Sequence, residues 1–179
     1  MATGCIEAVS DNDEPVPNYD DLSADEQQLY DQIMEYRASN GLPPIPLSNS
    51  LTYVAKSHVY DLANNYTLND TCNMHSWSSK GAWSGCCYTS DHAKASCMWD
   101  KPREMTPYSE NGYEIAYGGC STSACARVTA ESALNGWKGS SGHNAVILNQ
   151  GGWDKKWEAI GIGMNRNYAV AWFGRQQER

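Results

Sequence analysis

Hydrophobic positions recur at helical spacing in the stretch LSADEQQLYDQIMEYRASNGL, which predicts a first helix. Leu29 and Ile33 fall on one side of that helix, where they can face a core. Ser23 with Glu26 three residues later is the signature of a capping box, which satisfies free backbone N–H groups at a helix start. Gly41 favours the end of the helix, because glycine readily adopts the left-handed conformation common there.

A second helix is predicted over LTYVAKSHVYDLANNY, after the proline-rich LPPIPLS, whose prolines cannot continue the first helix. Ser48 or Ser50 is its expected N-terminal cap. Its buried face is expected to consist of Leu51, Val54, Ala55, His58, Val59 and Leu62. On such a face His58 is expected to pack in the core rather than to take part in chemistry.

The C-terminal part of the chain changes to patterns typical of strands. WEAIGIGMN and YAVAWFG are partly alternating apolar runs joined by NRN, which predicts a β-hairpin. YEIAYG predicts one more short strand, TSACARVTAESALNGW a helix, and the run after GSSGH a further helix that buries Val146 and Leu148. Helices and strands in this order predict an α+β fold packed in layers.

The long middle region, roughly 67–112, is rich in Ser, Gly, Trp and Cys and has little periodicity, which predicts loops and short helices pinned by disulfides. Six of the seven cysteines lie between Cys72 and Cys125, and there is no C-x-x-C pair that would favour structural zinc. Cys86 and Cys87 are adjacent, so each is expected to pair elsewhere, although the sequence leaves the pairing open. This cysteine content indicates an oxidising compartment, outside the cytoplasm.

Length and charge limit the remaining classes of function. The 179 residues fit a single domain, which we expect over 23–175, after a disordered acidic spacer over 1–22. A net charge of −8 argues against nucleic acid as a partner. Cys5, followed by a polar spacer, is typical of a bacterial lipoprotein after removal of its signal peptide, so membrane contact is expected only through such an anchor; an incidental thiol is the alternative.

The candidate chemistry lies among four histidines. His58 is expected to pack, and His92 in SDHAKAS to be a solvated loop residue. His75 follows Cys72 by three residues, so that a disulfide would anchor its loop, and His143 sits at a glycine-marked turn where a side chain can face a cleft. From their local sequence alone, neither His75 nor His143 can be assigned a function.

The stretches CNMHSW, GYEIAYG, ALNGWKGSSGHNAVILN, WEAIGIGMN and YAVAWFG resemble, in order and spacing, the CAP superfamily. This group, also called SCP-like, includes cysteine-rich secretory proteins, antigen 5 and pathogenesis-related proteins, and the likeness is greatest to its bacterial extracellular branch. The resemblance covers about residues 24–174. It implies a three-layer α-β-α sandwich with a large open cleft, in which two histidines and up to two acids converge.

Carried onto this chain, the resemblance assigns His75 and His143 to the histidine pair. Glu114 is the preferred acid and Glu110 in YSENG is the alternative, while Ser140 stands where animal and plant members have a second acid. Two imidazoles and a carboxylate suit Zn²⁺ or another divalent metal and leave a coordination position open to water.

Two classes of function follow from this resemblance. The first is a secreted or surface-anchored binding module, whose cleft takes a metal ion and a lipid-like or peptide ligand between Trp and Tyr walls. The alternative is a metal-dependent or His/Glu-dependent hydrolase, resembling a protease, that uses His75, Glu114 and His143. The sequence contains no G-x-S-x-G elbow and the cysteines are expected to form disulfides, so no activated nucleophile is evident and the binding module is favoured.

Overall fold

The computed structural model describes residues 21–66, 69–119 and 126–178. Cys5 and most of the predicted spacer 1–22 lie outside the described residues, as do Cys120 and Cys125. The described helices are α1 (Ala24–Ser39), α2 (Asn49–Asn64), α3 (Ser96–Trp99), α4 (Lys101–Met105), α5 (Ala130–Gly139) and α6 (Ser141–Ile147), with a short 3-10 helix at Gly151–Trp153. The strands are β1 (Gly112–Gly118), β2 (Ala159–Met164) and β3 (Tyr168–Gly174).

The first two helices begin where the sequence predicts. The Ser23 hydroxyl accepts a hydrogen bond from the Glu26 backbone N–H, and the Glu26 carboxylate accepts one from the Ser23 N–H, so the capping box is confirmed. Ser48 rather than Ser50 caps α2, by accepting from the Leu51 N–H. Every residue of the predicted apolar face of α2, including His58, is buried.

The three strands form one antiparallel sheet in the order β1-β3-β2. β2 and β3 are the predicted hairpin, joined by residues 165–167. β1 pairs only with β3 and therefore forms one edge of the described sheet.

Successive strand residues face opposite sides of the sheet, and each side has its own core. On one side α2 packs against β2 and β3, around residues such as Leu51, Val54 and Trp172. On the other side α1, α5 and α6 pack around residues such as Ile115, Ile162 and Phe173. The fold is thus the α+β, three-layer α-β-α sandwich in a single domain that the sequence predicts.

Two glycines in β2 allow α2 to lie directly on the sheet. A Cβ atom at Gly161 would lie 2.1 Å from the carbonyl carbon of Leu51, and one at Gly163 would lie 2.5 Å from that of Ala55. Both contacts are to helix backbone, which cannot move aside as a flexible side chain can. The Ile-Gly-Ile-Gly pattern therefore brings the helix close to the strand, and His58 follows on the same buried face.

Two disulfides, Cys72–Cys87 and Cys86–Cys97, hold the middle region. The prediction that the adjacent Cys86 and Cys87 pair with different partners is confirmed. An antiparallel bridge between Trp77 and Cys86 brings the two arms of the first disulfide loop together. In the described part of the chain, the helices all fall short of the length and apolarity required to cross a bilayer.

Candidate functional site

Glu114 lies near the middle of β1 with its side chain on the α2 side of the sheet. The side chain is fully buried. Its Oε1 accepts a hydrogen bond from His75 Nδ1 at 2.8 Å, and its Oε2 contacts His58 Nδ1. One buried carboxylate therefore joins a histidine from α2 to a histidine from the disulfide-closed loop.

His58 is an imidazolium in this arrangement. Its Nε2 lies 3.0 Å from the carbonyl oxygen of Ser76, which can only accept, so Nε2 carries a proton. Its Nδ1 faces the Glu114 carboxylate, which also only accepts, so Nδ1 carries a second proton. The ring is fully buried and stacks on the Trp77 ring with centroids 4.2 Å apart.

The charges around Glu114 keep it ionised. Burial raises the pKa of Glu114, but the positive charge of His58 and the hydrogen bonds from His58 and His75 outweigh it, so the pKa lies below its ordinary value. At neutral pH the carboxylate is therefore available to accept from both imidazoles.

His75 is oriented by groups on both sides of it. Its backbone N–H donates to Asn73 Oδ1 at 3.0 Å, and its Nδ1–H donates to Glu114. A neutral imidazole that is protonated at Nδ1 keeps a lone pair on Nε2. The side chain is 19% exposed and its ring lies 5.1 Å from that of Tyr88, so the free nitrogen belongs to a partly open site.

His143 is the third residue of α6, and α1 fixes the position of that helix. The Tyr36 hydroxyl donates to Asn144 Oδ1 at 2.9 Å, and Arg37 Nη1 donates to the Ile147 carbonyl at 2.5 Å. Burial lowers the pKa of His143, a positive charge on His75 lowers it further, and Glu114 partly opposes both. His143 is therefore neutral at neutral pH and close enough to His75 to interact with it electrostatically.

Two cavities flank the outer edge of β1. The larger, about 460 Å³, is bordered by Met74, Ala116, Tyr117, Gly136, Ser140 and His143, among others. The smaller, about 200 Å³, is bordered by Tyr88, His92, Met98, Trp99, Tyr113, Glu114 and Trp153. We call the two together the β1 cleft. Its walls come from the disulfide-closed loop and α3 on one side and from α5 and α6 on the other.

The structure brings some of the site residues predicted from the sequence together and leaves others apart. His75 and Glu114 are in direct contact, and His143 lies on the cleft wall, with Ser140 beside it at the start of α6. Glu110 is exposed before the start of β1. His92, predicted to be a solvated loop residue, borders the smaller cavity and its Nδ1 lies 2.8 Å from the Tyr88 hydroxyl.

His58 has a role that the sequence analysis missed. It packs in the core as predicted, but it also contacts Glu114 and so takes part in the cluster. The available signal was an ionisable ring on an otherwise apolar helix face, since a buried imidazole needs polar partners.

The family resemblance implies a divalent metal at these histidine and glutamate side chains. Among the described residues, no three His, Cys, Asp or Glu side chains are arranged to hold a metal ion together. Both carboxylate oxygens of Glu114 face histidine nitrogens, so Glu114 orients His75 in this arrangement. That Glu114 itself binds a metal ion stays a prediction. The imidazoles of His75 and His143 remain, the first hydrogen-bonded to a carboxylate, and this fits an ion whose other ligands are water or a bound molecule.

Comparison with known families and structures gives consistent results. The model of the cysteine-rich secretory protein family, CAP, matches residues 30–171. An extracellular protein with an SCP domain from Bacillus anthracis is 19% identical, covers 85% of this chain and 40% of its own, and superposes with a TM-score of 0.56. An outer surface protein from Borrelia burgdorferi is 18% identical, with 88% and 96% covered and a TM-score of 0.57.

A third structure, a cysteine-rich secretory protein from Staphylococcus aureus, is 17% identical over 87% of this chain and 41% of its own, with a TM-score of 0.53. The chain thus spans about two fifths of the Bacillus and Staphylococcus proteins and nearly all of the Borrelia protein. No curated protein sequence matches it significantly. At these identities the solved structures establish a shared fold.

Proposed function

The chain belongs to the cysteine-rich secretory protein (CAP) family, and from this we propose that its β1 cleft is a binding site that holds a divalent cation at His75 and His143 together with a lipid-like or peptide ligand. The observation that carries the proposal is the hydrogen bond from His75 Nδ1–H to the buried Glu114 carboxylate. Histidines that bind metals commonly donate their second ring nitrogen to such a carboxylate, which fixes the tautomer and makes the ligating nitrogen more basic.

The lowered pKa of His143 supports the same proposal. A metal ligand must be deprotonated, and burial keeps the His143 ring neutral at pH values where an exposed imidazole would begin to take up a proton. A cation held by these two imidazoles would bind more weakly at acid pH, because protons compete for both nitrogens. When bound, it would supply a positive charge that can hold a carboxylate or carbonyl oxygen of the ligand.

The walls of the cleft support a ligand that is partly apolar. Tyr88, Trp99, Tyr113 and Trp153 border the smaller cavity, and Met74 and Tyr117 border the larger one. Aromatic rings with a polar end suit the wall of an open site, because they offer apolar area and can still hydrogen-bond to water.

We place the function outside the cell or on its surface. Two disulfides in the described residues support an oxidising compartment, and the Bacillus and Borrelia proteins of the same fold are described as extracellular and outer surface proteins. Anchoring through a lipid on Cys5 is the narrower form of this proposal.

The hydrolase alternative receives less support. Among the described residues, no serine, threonine or cysteine side chain hydrogen-bonds to the His75 or His143 ring nitrogens, so turnover would depend on a water molecule activated by His143 or by the cation. A binding module requires no such step.

Calorimetric titration with zinc near pH 7 tests the proposal. We expect the wild type to bind one ion and His75→Ala and His143→Ala each to lose more than about tenfold in affinity, since each removes one of two protein ligands. His92→Ala is the matched control, because His92 borders the cleft but bonds to Tyr88, and its affinity should match the wild type. A wild type that does not bind zinc, or an equal loss in His92→Ala, would contradict the proposal.

A further inference from the structure

The outer edge of β1 carries backbone groups that the described sheet does not use. The Ile160 N–H donates to the Pro46 carbonyl and the Ile160 carbonyl accepts from the Ser48 N–H, so both groups point away from β3. Alternate residues of a strand direct their backbone groups to alternate sides. The neighbours of Ile160 in β2 therefore bond to β3, where their partners are Gly174 and Trp172.

The same alternation continues across β3 to β1. Because Trp172 and Gly174 bond to β2, the residues between and before them in β3 bond to β1. These are Phe173, Ala171 and Ala169, and their partners in β1 are Tyr113, Ile115 and Tyr117, respectively. The Gly119 N–H donates to the Asn167 carbonyl at 3.2 Å. Gly119 and Asn167 lie two residues beyond Tyr117 and Ala169, so this bond independently supports the same alternation.

Glu114 and Ala116 must then direct their N–H and C=O groups outward, into the β1 cleft. No hydrogen bond within the described residues reaches these four groups. Glu114 is 7% exposed as a residue while its side chain is 0% exposed, so its exposed surface is backbone. Glu114 borders the smaller cavity and Ala116 the larger, so the free edge runs along both.

From this free edge we propose that the cleft binds an extended peptide segment of another protein as a fourth strand, hydrogen-bonded to the backbone of Glu114 and Ala116. Two residues along a strand span about 6.8 Å, which is also the repeat of the outward-facing groups of an added strand. The inference deepens the proposed function and rests on it, because the same cleft is the binding site.

The edge favours a peptide over a lipid chain. A hydrocarbon chain in the cleft would cover two N–H and two C=O groups without bonding to any of them, and buried unpaired backbone groups are costly. A peptide backbone presents a donor and an acceptor at the spacing required. Its side chains would alternate between the wall that carries Met74 and Tyr88 and the wall that carries Gly136 and His143.

The test uses the whole protein and a library of blocked hexapeptides, acetylated at the N-terminus and amidated at the C-terminus. For a peptide that binds, each backbone nitrogen is methylated in turn, which removes one donor without any change to the protein. We expect a loss of about tenfold at alternate positions and little change at those between, because only alternate N–H groups face β1. A loss without this two-residue period would overturn the inference.

Amide hydrogen exchange locates the same contact on the protein. With bound peptide, the Glu114 and Ala116 amides should exchange at least about tenfold more slowly, whereas Ile115 and Tyr117, which already bond to β3, should change little. Equal slowing at all four amides, or at none, would contradict an added strand.

Both measurements are repeated with zinc and with a chelator, so that the two proposals can fail separately. If zinc binds at His75 and His143 but no library peptide binds, the added strand is wrong and the cation site stands. If peptides bind with the alternating pattern but zinc does not bind, the added strand stands and the cation site is wrong.

Discussion

Glu114 connects the chemistry of the site to the stability of the fold. It is a fully buried carboxylate that accepts from His75 and faces the His58 imidazolium, so the group that orients His75 is also part of the core. The sequence could predict Glu114 and His75 from the family pattern. It could not predict that His58 would balance the charge of Glu114, because that depends on how α2 packs on the sheet.

Glu114→Gln should lower the free energy of unfolding by about 3 kcal/mol at pH 7, because it leaves the buried charge of His58 without its partner. The pKa of Glu114 is lowered in the folded protein, so the unfolded chain takes up the proton first and the stabilisation is lost as the pH falls below the ordinary value of 4.5. Urea unfolding at pH values from 7 to 3 measures the difference between wild type and variant.

The exposed Glu110 provides the control for this series, and Glu110→Gln should differ little from the wild type at any pH. A gap between wild type and Glu114→Gln that stays constant down to pH 3 would show that Glu114 is not an ionised partner of His58.

At the scale of elements, the position of α2 on β2 decides whether the cluster can form. The sequence predicts that the Ile-Gly-Ile-Gly pattern belongs to a strand, and the strand is confirmed. Glycine is required at two positions of this strand because of tertiary packing. The backbone of α2 lies where the Cβ atoms of other residues would be. No local pattern contains that information, since it concerns residues more than a hundred positions apart.

Gly161→Ala should lower the free energy of unfolding by at least about 2 kcal/mol, because the added methyl group would meet the backbone of Leu51 and Thr52. Gly139→Ala is the matched control: nothing lies within 4 Å of its Cβ position, so it should be neutral or slightly stabilising. Thermal and urea unfolding compare the two variants, and equal effects would contradict the close contact between α2 and β2.

At the scale of the whole molecule, the cleft lies where two layers meet along a sheet edge. The loop with His75 comes from the α2 side and α6 with His143 from the other side, so neither wall makes the site alone. The order of helices and strands was predictable because their periodicity and caps are local. The disulfide pairing was not, because spacing alone leaves the partners of Cys86 and Cys87 open.

The Cys72–Cys87 disulfide should matter for the site as well as for stability. It closes a loop with a sequence separation of 15 that contains His75, so replacing both cysteines by serine should cost about 3 kcal/mol of stability and weaken zinc binding. Serines at Cys86 and Cys97 should lower stability comparably but affect zinc less, since His75 lies outside that loop. Equal zinc affinities in the two double variants would contradict this role for the first disulfide.

The most direct test of the cation site is a zinc titration followed by NMR of the ring nitrogens of His58, His75, His92 and His143. We predict that His75 Nε2 and one nitrogen of His143 change together in proportion to bound zinc. His58 should stay protonated at both nitrogens throughout, because it faces two acceptors, and His92 should not respond. If His58 or His92 responds first, or if neither His75 nor His143 responds, the cation does not bind where we propose.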